Sequence, residues 1–198
     1  MNRKRRLFAM TILVALLLVT GALALAAGRA SASADPTVLE FDVAQDHTRF
    51  VSDETPVHDD GLPAYGNEFV TQGYLYPAGT LDCSDGTCNG ALADGSPEFP
   101  NLVLGEWSCW GHFVGDGAHT QTGPVVVTTQ NYSIGETPGA RTVVTAGYEL
   151  ADIGVPFKRA IVGGTGVYQF ARGQQTQTVL GVSDNGLPAL RVELTVRR

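Results

Sequence analysis

Positive charge is scarce in this 198-residue chain once its first 34 residues are set aside. Arg3, Lys4, Arg5, Arg6 and Arg29 are five of its 13 basic residues, and none of its 20 acids falls in that stretch. Residues 35–198 are left with eight bases against 20 acids, a net charge of −12 with His neutral. So acidic a domain excludes DNA, RNA and anionic lipid as partners, because each needs a basic footprint. A sustained 3.6-residue apolar stripe is also missing, which excludes a helical core. There is no Gly-x-Ser-x-Gly elbow for Ser-His-Asp hydrolysis and no carboxylate spacing that singles out a glycosidase pair. Cysteine is limited to Cys83, Cys88 and Cys109. A zinc site would need His112 as a fourth ligand at irregular spacing, so no metal and no cofactor is expected. Asp82, Asp85 and Asp94 do not fit a calcium loop and read as solvated turn residues.

What is present begins with a leader. Four basic residues precede an apolar run from Leu7 to Leu25, and the small residues Ala32-Ser33-Ala34 follow. This is the layout of a secretory signal peptide over residues 1–34, with cleavage after Ala34 and a secreted domain over 35–198. An uncleaved membrane anchor is the competing reading of the same run; after cleavage no stable membrane association is expected. Outside the cell two of the cysteines should oxidise. Asp-Gly between Cys83 and Cys88 makes that pair the easiest closure. Cys109 is then free, unless it pairs with one of the loop cysteines instead.

The rest of the chain is punctuated by Gly, Pro, Asn and Asp between alternating or β-branched runs. These are TVLEFDV, NEFVTQGYLYP, GEWSCWGHFVG, GPVVVTTQNYSI, RTVVTAGYEL, PFKRAIVGG, GVYQFARGQQTQTVLGV and PALRVELTVRR, which is the spacing of an all-β barrel or sandwich. In the last run Leu190, Val192, Leu194 and Val196 share one face, the signature of a half-buried strand. Cys83 to Asn101 reads as a long surface loop held by a disulfide. The cluster Gly163-Gly164-Thr165-Gly166 lacks the Lys-Ser/Thr of a P-loop and the third glycine of a dinucleotide fingerprint. It reads as a hairpin corner, with an alternating strand resuming at Val167.

Three blocks carry a family resemblance: AIVGGTGVYQFARGQQTQT (160–178), GDGAHTQTGP (115–124) and GLPAYGNEF (61–69). In this order they resemble the allene oxide cyclase/dirigent superfamily. The resemblance implies an eight-stranded antiparallel β-barrel with an apolar lumen that assembles into homo-oligomers, trimers in plants. It also implies a small apolar or phenolic ligand whose isomerisation, cyclisation or coupling the lumen steers. By the same resemblance Glu40 and Asp42 occupy the positions of the cyclases' Glu-x-Asn pair, Asn67 matches their later Asn, and Leu75 stands where they have a cysteine. His119 matches a structural position of the hairpin loop.

Each candidate has an alternative reading. A Glu40 beside a ligand could serve as general acid or base. Glu40 and Asp42 would instead face solvent if Leu39, Phe41 and Val43 fill the barrel. In EWSCWGHF, Trp107, Cys109 and Phe113 read as core, while Glu106, Trp110 and His112 are candidates for a pocket mouth, with Tyr148 at its edge. The function expected is thus a ligand-steering barrel, with a non-catalytic carrier or structural barrel as the alternative.

Overall fold

The structure, a computed structural model, describes residues 35–84 and 88–198. The signal peptide expected over residues 1–34, and Asp85, lie outside the described residues. All eight alternating runs become strands: β1 (Thr37–Ser52), β2 (Glu68–Pro77), β3 (Gly105–Phe113), β4 (Pro124–Ile134), β5 (Thr142–Leu150), β6 (Phe157–Gly164), β7 (Arg172–Val182) and β8 (Pro188–Arg197). Each pairs antiparallel with the next, and β8 returns to β1 to close the barrel. Closure leaves no unpaired edge, which is how an all-β domain avoids edge-to-edge association.

Inward positions follow the period of two. Phe41 and Val43 on β1, Leu75 on β2, Trp107 and Cys109 on β3, Tyr132 on β4, Val143 on β5, Ile161 on β6, Val179 on β7 and the four apolar residues of β8 form one buried cluster. Burying a side chain of this size stabilises the fold by about 1.5–3 kcal/mol.

β1 breaks the alternation. Phe41 through Asp46 are six buried residues in a row, because both faces of this strand are covered. The lumen covers one face. The other lies beneath the connection 78–104, which lays Leu81, Cys88, Phe99 and Val103 against Ala44, Tyr76 and Ala189 in a second, smaller core. The Cys83–Cys88 disulfide holds this connection, and Cys109 is free and buried in the lumen. Asp82 and Asp94 are turn residues that accept backbone hydrogen bonds from Ser84 (3.0 Å) and Ser96 (2.9 Å).

The glycine corner departs from expectation. The chain does not resume as a strand at Val167; Gly166–Tyr168 forms a 3-10 turn and β7 starts at Arg172. Gly166 takes a left-handed φ of 56°, and a Cβ there would lie 2.2 Å from the Ala140 carbonyl oxygen. Turn hydrogen bonds from Tyr168 N to Thr165 O and from Ala171 N to Tyr168 O, 2.9 and 2.8 Å, then tuck Tyr168 into the end of the barrel core.

Candidate functional site

Glu40, Asp42 and Asn67 are not brought together. Glu40 is exposed on the outer wall opposite Glu193. Asp42 is fully buried, but on the outer side of β1 under the 78–104 connection. It accepts a forked pair from Arg191, 2.8 Å at Nε and 3.1 Å at Nη2, and backbone hydrogen bonds from Gly79 (2.8 Å) and Leu81 (2.9 Å). Four donors on one carboxylate make it the clamp that fixes the start of that connection. Asn67 precedes β2, at the opposite end of that strand from Tyr76, which pairs with Asp42. Its Nδ2 donates to Asp53 O (2.8 Å) and Pro56 O (3.0 Å), tying down the connection between β1 and β2.

Of the expected pocket residues, only Leu75 lies in the lumen. Glu106, Trp110, His112 and Tyr148 stand on the outer wall of β3 and β5. Trp110 (43% exposed) and His112 line an open cleft of about 340 Å³ with Val51, Val70 and Glu68. Its location on the outer wall follows from the same period of two that sends Trp107 and Cys109 inward. His119 stacks on His58 with ring centroids 3.9 Å apart and contacts Asp60 at 2.9 Å, so it joins two loops.

The lumen carries polar chemistry that sequence reasoning did not assign. Glu149 on β5 is its centre: Gln177 Nε2 donates to Oε2 at 2.7 Å, and Thr128 Oγ1 and the Cys109 thiol donate to Oε1. Arg159 on β6 lies 3.3 Å from the same carboxylate, with side-chain exposures of 0% for Arg159 and 12% for Glu149. The guanidinium also donates to the carbonyls of Gly147, Tyr148 and Thr128 at 3.2, 3.1 and 3.0 Å. Next to it, Gln175 Nε2 lies within hydrogen-bond distance of Gln130 Oε1, Tyr132 OH and Gln177 Oε1 at 3.0, 2.7 and 2.7 Å, three acceptors for its two N–H groups, and Tyr132 OH donates to Gln130 Oε1.

Burial sets the reactivity of these groups. The Cys109 thiol is pushed well above its ordinary pKa, first by burial and then by the Glu149 charge, so it is no ready nucleophile at neutral pH. Burial likewise raises the Tyr132 phenol, against the opposing pull of Arg159. Five buried polar atoms of the described lumen residues have no protein partner: Trp107 Nε1, Gln130 Nε2, Thr145 Oγ1, Arg159 Nε and Gln175 Oε1. The signal for this layer was in the sequence. Arg159 alternates with Phe157 and Ile161, and Gln175 and Gln177 alternate into Val179, so each shares a core face with apolar neighbours.

No family model matches the sequence, and no curated protein matches it. Solved structures do. The pterocarpan synthase dirigent protein PsPTS1 is similar at 18% identity and TM-score 0.54, covering 84% of this chain and 97% of that one. The pterocarpan synthase dirigent protein GePTS1 is similar at 19% identity and TM-score 0.50, covering 83% and 88%. A pyocyanin demethylase aligns at 18% identity and TM-score 0.45, over 81% of this chain and 99% of that one. Barrel closure, strand order and the likeness to the two dirigent proteins agree: the chain has a closed, eight-stranded antiparallel β-barrel of dirigent-like fold.

Proposed function

We propose that the protein is a secreted ligand-binding barrel that takes a small phenolic molecule at the polar layer of its lumen and steers its isomerisation, cyclisation or coupling. The observation that supports this is the set of unpartnered buried polar atoms on Trp107, Gln130, Thr145, Arg159 and Gln175. A buried polar group without a partner costs about 1–3 kcal/mol, and a cluster of them inside one lumen supports a site that awaits hydrogen-bonding atoms. Arg159 Nε and Gln130 Nε2 are donors suited to a phenol oxygen, and Gln175 Oε1 is an acceptor suited to its proton. Phe41 and Leu75 offer apolar walls to the ring. Steering would act by holding one conformer, with Glu149 as the proton-accepting group within the layer.

A second reading, a non-catalytic structural barrel, is favoured by a different observation. Trp107, Tyr132, Leu75 and Leu190 are fully buried and fill the interior. Fluorescence separates the two readings. The chain has two tryptophans, so Trp110→Phe leaves Trp107 as a reporter inside the barrel. On the ligand-binding reading, titration with 4-ethylphenol or 1,4-naphthoquinone gives saturable quenching, and Glu149→Gln weakens it at least tenfold. Flat titrations with both probes would leave the structural barrel as the function.

A further inference from the structure

A second cleft lies away from the lumen, where three parts of the chain meet. It has a volume of about 350 Å³ and is lined by His47 of β1, by Asn89, Ala91, Leu92, Ala93 and Glu98 of the 78–104 connection, and by Asp184 and Asn185 of the β7–β8 turn. We propose that it binds a small organic cation, a protonated amine carrying a compact apolar body.

The argument rests on which hydrogen-bonding groups are already used. Each asparagine amide spends one of its two N–H groups inside the protein: Asn89 Nδ2 donates to Asp184 Oδ2 at 2.8 Å, and Asn185 Nδ2 donates to Gln45 O at 3.0 Å. The asparagine oxygens are engaged as well, by Asp184 N (3.0 Å) and Leu187 N (2.9 Å). What remains unmatched is Glu98 Oε2 and His47 Nδ1, both buried and without a partner. A carboxylate oxygen can only accept, and an imidazole nitrogen accepts in one neutral tautomer. Glu98 and Asp184 bring two carboxylates, while no Lys or Arg is among the described residues that line the cleft. The vacant positions therefore ask for a donor with positive charge. An anion would face both carboxylates with only neutral amide and imidazole N–H groups to offset them, and a carbonyl ligand would leave the Glu98 oxygen without a donor. An ammonium has three N–H groups and no acceptor, which complements this set. Ala91, Ala93 and the half-exposed Leu92 supply apolar surface for the body of the ligand.

The cleft is also built to persist. Its roof is a short hairpin, with Ala91 bridged to Pro97 and hydrogen bonds from Leu92 N to Ser96 O (2.8 Å) and Glu98 N to Gly90 O (3.1 Å). The disulfide and the Asp42 clamp hold the base of that connection.

The test is calorimetric and NMR titration of the purified protein at pH 7 with benzylammonium, with benzyl alcohol and benzoate as neutral and anionic counterparts. The expected result is saturable binding of benzylammonium alone, at least tenfold tighter than benzyl alcohol, with shifts at His47, Leu92 and the Asn89 side-chain amide. Glu98→Gln keeps the shape and removes the charge, and should weaken binding at least tenfold while the melting temperature stays put. Asp184→Asn, which retains an oxygen for Asn89, should weaken it in the same direction. Equal binding of the alcohol, an unchanged affinity in Glu98→Gln, or shifts confined to the lumen would overturn the proposal. Glu149→Gln, which disables the lumen reading, should leave benzylammonium binding intact, so the two sites fail separately.

Discussion

At the scale of single residues, the buried pair Glu149–Arg159 carries the largest stake. Removing one partner leaves the other charge in the lumen uncompensated. Arg159→Met is therefore expected to cost about 3–5 kcal/mol in urea unfolding. The double variant Glu149→Gln/Arg159→Met should recover part of that loss, since no lone charge remains; a fully additive double variant would show that the two side chains do not act on each other. Asp46 gives a pH test. Burial pushes its carboxyl up, but hydrogen bonds from Thr48 and the Arg49 pair at 2.6 Å outweigh it and hold the pKa below the ordinary value. A lowered folded-state pKa means stabilisation that is present above the unfolded value of about 3.9 and lost as pH falls through the folded one. Asp46→Asn should cost about 1–3 kcal/mol at pH 7, and the gap to the parent should close in acid unfolding below about pH 4. Such residues were only partly legible. Period two put Trp107 and Cys109 in the core and set Trp110 on the opposite face, which was read as a pocket mouth and is the outer wall, but it says nothing about which charges meet across strands. Glu149 and Arg159 lie on different strands, and only register brings them together.

At the scale of elements, the strands were read from alternation because each has one wet face and one dry face. Where that condition fails, so does the reading. β1 is covered on both sides, so its buried run Phe41–Asp46 has no period, and its second half was not legible as a strand. The connection 78–104 that covers it has no regular pattern of its own and is held by a few fixings: the Asp42 clamp, the tyrosine hydrogen bonds and the disulfide. Tyr76 OH donates to Gly90 O at 2.6 Å, and burial raises that phenol to about 12. The disulfide closes a loop with a sequence separation of only 5, so its loss removes about 2 kcal/mol of constraint from the unfolded chain. Reduction should thus loosen the cover and spare the barrel. Hydrogen exchange is expected to accelerate across residues 78–104 while the inward strands keep their protection; uniform acceleration in all eight strands would show that cover and barrel form one cooperative unit.

At the scale of the whole molecule, closure depends on the strands that are farthest apart in sequence. β8 pairs with β1 from Thr37↔Val196 to Val43↔Leu190, and with β7 from Arg172↔Arg197 to Val182↔Pro188. It supplies Leu190, Val192, Leu194 and Val196 to the lumen and Arg191 to the Asp42 clamp, so both cores depend on it. A chain that stops at Leu187 leaves β1 and β7 as open edges and exposes their inward faces. That truncation is expected to abolish cooperative unfolding by circular dichroism and to aggregate, whereas the full chain unfolds in one transition. Because the last strand must find the first, the entropy of closing nearly the whole chain is spent before the pairing stabilises anything. Folding should accordingly fall in the slow, millisecond-to-second range of β topologies. Stopped-flow fluorescence of the Trp110→Phe protein reports it directly, since Trp107 is buried only when the barrel is shut; burial of Trp107 within microseconds would mean that the lumen packs before β8 docks.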